Sequence, residues 1–253
     1  YLQRWMRVAW LVPDGVETWR AWSFFVGLLL TWFGLGSPLS VLDHDLLTVH
    51  MIQHLLLMTV APPLILLGEP LKLLPQRRVK KLGELVIRPP RTEPMREPGR
   101  ILPHPTIGWI GATATLVAWH IPSIFMLGLR SQTWHGIEQA SFLVTGLLFW
   151  WPVVESPRNA LKWSDSSILL YLFFATLPCD ILSGFLVFCD RVVYPVYLSS
   201  SRQFGLTALE DQQCAGALMW TCVTVVYLIA GAIFTTRLLS PQRSMDPHRV
   251  EAV

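Results

Sequence analysis

Six long apolar runs, separated by shorter polar stretches, recur along the 253 residues of the chain. Each run approaches the roughly 20 residues that a helix needs to cross the hydrocarbon core of a bilayer. Pro and Gly interrupt the runs, as they commonly do in membrane helices. The pattern predicts an all-α, polytopic transmembrane helical bundle that forms a single integral membrane domain. The predicted spans lie at about 19–38, 46–68, 105–127, 134–153, 166–189 and 209–236.

The composition supports this interpretation and excludes several classes of function. Apolar residues make up 52% of the chain and charged residues only 15%, whereas soluble domains carry about 25% charged residues. The 4 Cys residues show no CxxC spacing, so neither a disulfide framework nor a zinc module is indicated. The sequence also shows no phosphate-binding loop, dinucleotide fingerprint or nucleophile elbow. We therefore predict that the protein is not an enzyme.

Basic residues are distributed unevenly between the connections. Nearly half of the 20 Lys and Arg residues lie in the long connection 69–104, which the positive-inside rule places in the cytoplasm. Because Pro residues break this basic run and charge asymmetry across a membrane explains it, we expect no nucleic-acid binding. Alternation of the spans then places four of the 7 His residues at one depth, toward the outer side of the membrane.

These four His residues are the candidate metal ligands. His50 and His54 are one turn apart on the second span and share a face, while His120 and His135 lie near the outer ends of the next two spans. Imidazole is a good copper ligand, and ionisable groups inside a membrane are costly and commonly functional. The alternative is that each His forms a hydrogen bond with a neighbouring helix. A haem is a further alternative, with one axial ligand from His50 or His54 and the other from His120 or His135.

Other polar residues could support such a site: Asp43, Gln53, Glu138, Gln139, Asp180, Asp211 and Cys214. Asp43 falls two turns before His50 on the same face, if the helix extends that far. Glu138 shares a face with His135 and could pair with a His or lie among the headgroups. Asp180 is an acid inside the fifth span, where a charge costs roughly 2.5–3.5 kcal/mol. It must therefore be paired, protonated or facing a polar cavity.

Two thiols, Cys189 and Cys214, lie toward the outer side in the last two spans. They could form a disulfide or bind copper as thiolates, although the simpler interpretation is that each is a small buried residue. Thr207 and Glu210 have the spacing of a capping box, which predicts the start of the last helix near residue 208. Asp211 and Cys214 then share a face in the outer half of that helix.

The segment "HMIQHLLLMTVAPPLILLGEP" (50–70) resembles the signature of the CtaG-like family of bacterial cytochrome c oxidase (caa-type) assembly factors. The resemblance extends from Trp19 to about Arg237 and includes "WHIPSIF", "WHGIEQASFLVTGLLFWWPV", "LPCDILSGFLVF" and "LTALEDQQCAGALMWT". It implies a multi-pass protein of the bacterial cytoplasmic membrane with about seven spans, and hence a seventh span upstream of Tyr1. It also implies a role in the maturation of haem–copper oxidases.

Carried over residue by residue, the resemblance gives weight to His50, His54, His120, His135, Asp180 and Asp211. The sequence departs from the family pattern at Gln139, where the resemblance leads us to expect a second His one turn after His135. A metal site rich in histidine would lose one nitrogen ligand by this change.

The leading hypothesis is an assembly factor for a haem–copper oxidase that acts as a copper chaperone in delivery or metallation. On this hypothesis the four His residues form a transient Cu(I) site toward the periplasmic side, which Asp180 and Asp211 tune or orient. Its partners are the oxidase subunits and the lipid bilayer, and the sequence leaves a homodimer open. The alternative is a non-catalytic accessory or scaffold subunit bound stably to a respiratory oxidase complex, in which the His residues form an interhelical hydrogen-bond network.

Overall fold

Helices account for most of the chain that the structure describes. The computed structural model describes residues 18–36, 42–69, 105–155, 164–198 and 205–240. The helices are α1 (Thr18–Gly36), α2 (Leu47–Leu55), α3 (Ala61–Leu67), α4 (Pro105–His120), α5 (Pro122–Arg130), α6 (Gln132–Glu155), α7 (Asp165–Phe188) and α8 (Ala208–Leu239). A π-helical turn (Leu56–Val60) joins α2 to α3, and a 3-10 turn (Pro195–Leu198) precedes α8. No strand occurs in these ranges, which confirms the predicted all-α class.

Four helices are long and apolar enough to cross a membrane. They are the continuous segment of α2 and α3 (Leu47–Leu67), most of α6 (Gln132–Val154), α7 and α8. Helices α4 and α5 meet the same criterion together but are bent by 80° at the break between them. The described ranges therefore hold four spans, or five with this broken pair. The prediction of a helical membrane protein is confirmed, whereas the prediction of six spans is not.

The two departures from six straight spans have local causes. Helix α1 contains Arg20 as its third residue, whose guanidinium forms an ion pair with Glu69 at 2.6 Å, and α1 is not among the four helices that meet the criterion for a span. Ile121, between α4 and α5, is extended (φ −67°, ψ 123°), because Pro122 cannot donate an N–H and disfavours helical geometry in the residue before it. The predicted cytoplasmic connection 69–104 lies outside the described residues, apart from Glu69.

Helix α2 lies between α6 and α8. Its apolar side chains Leu47, Met51 and Leu55 pack into a buried cluster that includes Ala215 and Met219 of α8. Its histidines face α6 instead. On the outside of the helices many large apolar side chains are exposed, as expected of a surface that contacts lipid.

The π-helical turn after α2 follows from two prolines. Pro62 and Pro63 lack an N–H, so the carbonyls of Met58 and Thr59 lose their usual helical donors. The indole N–H of Trp150 donates to the Met58 carbonyl at 3.2 Å and replaces one of them. This contact fixes the end of the His-bearing helix against α6, and π-helical turns are frequent at functional sites.

Gly146 of α6 packs directly against this turn. A Cβ atom at position 146 would lie 2.8 Å from the carbonyl oxygen and 2.9 Å from the Cα atom of Met58. Because both are backbone atoms, we expect Gly146→Ala to destabilise the protein by about 1–3 kcal/mol, measured as a lower midpoint of thermal unfolding in detergent. Gly136→Ala in the same helix is the matched control, since a Cβ there meets nothing within 4 Å. Equal midpoints for the two variants would contradict this packing.

Candidate metal centre

A group of buried imidazoles and carboxylates lies where α2, α6 and the turn before α2 meet. The turn contributes Asp43, α2 contributes His50 and His54, and α6 contributes His135 and Glu138. These residues are 0% to 5% exposed. They form two overlapping sets of three, each with donor atoms within 4.8 Å of one another: Asp43, His50 and His135, and His50, His54 and Glu138. We call these five residues the His–carboxylate cluster.

Glu138 joins the two histidines of α2. Its Oε1 atom lies 3.4 Å from His50 Nε2 and 3.3 Å from His54 Nε2. These separations exceed the roughly 2.7–2.9 Å of a charge-assisted hydrogen bond, and none of the three atoms has a hydrogen-bond partner among the described residues. A tetrahedral ion with bonds of about 2.0–2.1 Å would hold two ligand atoms about 3.3–3.4 Å apart. The Glu138 oxygen therefore stands from each of the two imidazole nitrogens at the separation of two ligands of one tetrahedral ion.

Helix α5 sets the position of the Glu138 carboxylate. The Oε2 atom lies so close to Gly128 that a Cβ atom at position 128 would be 2.6 Å from it. Any side chain at position 128 would force the Glu138 carboxylate to shift from this position. Glu138 was predicted as a supporting residue, and the structure places it between two of the predicted ligands.

The second part of the cluster pairs Asp43 with His135, whose Oδ2 and Nε2 atoms are 3.4 Å apart. Helix α2 begins at Leu47, so Asp43 does not extend the helix face and reaches the cluster through the turn before it. His50 connects the two parts, because its ring is stacked on that of His135 with centroids 5.8 Å apart. The amide of Gln139 donates to His135 Nε2 at 3.1 Å.

His120 lies beside the cluster rather than in it. Its Nδ1–H donates to the Leu116 carbonyl at 2.7 Å, which leaves a lone pair on Nε2. The Nε2 atom lies 3.4 Å from Met51 Sδ, and the ring centroid is 6.1 Å from that of His54. The structure thus brings three of the four predicted His ligands into the cluster and places the fourth against a thioether.

Two of the predicted supporting residues are buried around α2. The Asp211 carboxylate accepts hydrogen bonds from Leu47 N at 2.7 Å and from Thr48 N and Oγ1 at 3.1 and 2.6 Å. Asp211 therefore caps the helix that carries two of the ligands. Gln53 is fully buried, and its side-chain amide has no hydrogen-bond partner in the part of the chain that the structure describes.

Asp180 and Cys214 take no part in the cluster. Within the described ranges, no hydrogen bond or ion pair joins Asp180 to the cluster, and its buried Oδ1 has no partner. Cys214 is exposed on α8, and all four cysteines are free thiols. The structure therefore contains no disulfide between Cys189 and Cys214.

Two tyrosines for which no role was predicted hold the backbone at the cluster and beside it. The hydroxyl of Tyr197 donates to the Asp43 carbonyl and that of Tyr194 to the His120 carbonyl, both at 2.9 Å. Both tyrosines lie outside the spans, and burial raises the pKa of each phenol, so both remain protonated donors. Buried Tyr hydroxyls usually find a hydrogen-bond partner, so the run "YPVY" between two apolar spans was the available signal.

Similarity to known proteins extends along most of the chain. A family model described as "Cytochrome c oxidase caa3 assembly factor (Caa3_CtaG)" matches residues 1–240. Two curated relatives, an uncharacterized protein of Mycobacterium bovis and one of Mycobacterium tuberculosis, are each 24% identical over 244 residues, which cover 85% of this chain and 35% of theirs. The chain thus spans about a third of the length of these relatives. No solved structure matches.

Proposed function

Because the chain belongs to the family of cytochrome c oxidase caa3 assembly factors, we propose that it assists the metallation of a haem–copper oxidase by holding copper in the His–carboxylate cluster. Copper is cargo in this role. The observation that supports the proposal most directly is the approach of His50 and His54 to one oxygen of Glu138, at separations that suit ligands of one ion. The proposed partners are oxidase subunits in a bacterial cytoplasmic membrane, with the cluster toward the periplasmic side.

Charge compensation favours a cation at the cluster. Asp43 and Glu138 are both 0% exposed, and no Lys or Arg among the described residues forms an ion pair with either. A buried carboxylate without compensation is strongly unfavourable. A divalent ion held by His50, His54 and Glu138 would neutralise the Glu138 carboxylate, with the two imidazoles as further ligands.

The donor set favours a divalent ion over Cu(I). Imidazole nitrogen and carboxylate oxygen suit Cu(II), whereas soft sulfur ligands select Cu(I). The sequence alone predicted a Cu(I) site of four His residues. Because the cluster offers imidazole and carboxylate but no sulfur, we propose Cu(II) as its occupant. In its tetragonal geometry this ion would draw the Glu138 oxygen and the two imidazole nitrogens of α2 closer together than their present 3.3–3.4 Å. Gln139, at the position where the family resemblance predicts a further His, contacts His135 and adds no imidazole.

The same geometry favours a metal ion over a haem. Two axial imidazoles of one haem stand on opposite faces of a planar macrocycle. The rings of His50 and His135 are instead stacked with centroids 5.8 Å apart. The cavity beside His54 and His120 has a volume of about 40 Å³, whereas pockets for drug-sized ligands start at about 300 Å³.

The proposal is tested by replacing the chromosomal gene with one that encodes His50→Ala and His54→Ala together. We expect the copper-to-haem ratio of the purified oxidase to fall, because the variant lacks both ligands of α2. Ile52→Ala with Leu56→Ala is the matched control, with the same spacing, half-buried side chains and no part in the cluster. Immunoblots of the membrane fraction verify that both variants reach the wild-type level.

An unchanged copper-to-haem ratio in the double His variant, at a normal protein level, would contradict copper delivery. The second candidate, an accessory or scaffold subunit of an oxidase complex, would then be favoured. One observation supports it: protonated His50 and His54 could also form ion pairs with Glu138, at their separations of 3.4 and 3.3 Å.

A further inference from the structure

A cavity with a volume of about 40 Å³ lies beside the His–carboxylate cluster, among α2, the π-helical turn, α4, α6, α7 and α8. Its lining is rich in soft donors, with three thioethers and one thiol next to two imidazoles: Met51, Met58, Met219, Cys179, His54 and His120. The two carboxylates of the cluster do not line it. We call it the methionine cavity.

Two of these side chains already have the spacing of metal ligands. Met51 Sδ and His120 Nε2 are 3.4 Å apart. Two ligands of one tetrahedral ion, with bonds of about 2.0 Å to nitrogen and 2.3 Å to sulfur, stand about 3.5 Å apart. Since His120 Nδ1–H donates to the Leu116 carbonyl, the neutral imidazole presents a lone pair at Nε2. A thioether sulfur also offers lone pairs, and a cation is the species that can bind both.

Gap filling does not account for these methionines. Met often fills irregular spaces in cores because its side chain is flexible. Here three Met residues, from α2, the π-helical turn and α8, line one cavity of about 40 Å³ that they leave unfilled. That volume exceeds the roughly 10–15 Å³ needed for one water-sized sphere, so an ion fits without displacing the surrounding helices.

We propose that the methionine cavity is a second metal site, selective for a soft monovalent ion of the Cu(I) class, with Met51 and His120 as ligands and Met58 and Met219 completing the set. Thioether sulfur selects Cu(I), and imidazole is compatible with it. His54 lines the cavity and also belongs to the cluster, so the two sites adjoin. This proposal rests on the lining of the cavity and does not depend on the proposed function.

The test measures Cu(I) binding to the purified full chain in detergent, without oxygen, by competition with a chromophoric Cu(I) chelator. Met51→Leu combined with Met219→Leu removes two thioethers at nearly constant volume. We expect the Cu(I) affinity to fall by more than about 10-fold, while the Cu(II) affinity of the cluster keeps its wild-type value. Met126→Leu is the matched control, because Met126 is half-buried on α5 and does not line the cavity.

Two further measurements keep the outcome independent of how well that variant folds. Glu138→Gln should weaken Cu(II) binding by about 100-fold and keep Cu(I) binding, because Glu138 belongs to the cluster and not to the cavity. X-ray absorption of the Cu(I)-loaded wild type should show sulfur neighbours at about 2.3 Å.

Wild-type Cu(I) affinity in the folded double Met variant, or a Cu(I) environment of nitrogen and oxygen alone, would overturn the proposal. Failure of the proposed function looks different. It would appear as an unchanged copper content of the oxidase in the double His variant, whatever the purified chain does with Cu(I).

Discussion

Glu138→Gln is expected to lower the Cu(II) affinity of the His–carboxylate cluster by about 100-fold, with the fold intact. Glu138 Oε1 lies within 3.4 Å of both His50 Nε2 and His54 Nε2. The substitution therefore removes the charged group that is proposed to bind the same ion as the two imidazoles. Gln keeps the shape and volume of the side chain but is neutral and a weaker oxygen ligand. The affinity is measured on purified protein in detergent by competition with a Cu(II) chelator.

The matched control is Asp190→Asn, which removes one carboxylate charge at an exposed position just beyond α7. It should leave the Cu(II) affinity at the wild-type value. If Glu138→Gln does the same and lowers only the midpoint of thermal unfolding, Glu138 serves as an ion-pair partner of protonated histidines. The accessory-subunit alternative would then describe the cluster better.

The local parts of this site are predictable from the sequence. A separation of four residues puts His50 and His54 on one helix face, and a separation of three puts Glu138 beside His135, because helical periodicity involves only neighbouring turns. Apolar runs of about 20 residues predict membrane helices for a similar reason, since a helix satisfies its own backbone in lipid.

Residue spacing along the sequence does not predict the contacts between distant segments. Asp43 enters the cluster through a turn, so helical periodicity assigns it to a helix face where it does not lie. Met51 meets His120 where α4 ends, at the break before Pro122 where the axis bends by 80°. Hydropathy describes composition along a run, and it therefore predicts one straight span where the axis breaks between α4 and α5.

Asp211 forms another long-range contact of this kind. It was predicted to orient metal ligands from the last span, and its carboxylate instead lies at the start of α2. There it accepts hydrogen bonds from two backbone N–H groups and from the Thr48 hydroxyl, while being fully buried. Its negative charge also opposes the positive end of the α2 dipole. Asp211 thus fixes the helix that carries His50 and His54 without touching either.

Asp211→Ala is therefore expected to destabilise the protein by on the order of 3 kcal/mol, because the first turn of α2 loses a charged acceptor and its N–H groups are left unpaired. Cu(II) binding should weaken as well, since the start of α2 is no longer held. Asp211→Asn keeps one acceptor oxygen, so its stability should lie between those of Asp211→Ala and the wild type. Thermal unfolding and Cu(II) competition are measured on the same preparations. Glu210→Ala is the matched control, as the neighbouring acid serves the exposed capping box of α8. A larger destabilisation by Glu210→Ala than by Asp211→Ala would contradict the role of Asp211, because a buried cap between two helices should contribute more than an exposed cap within one.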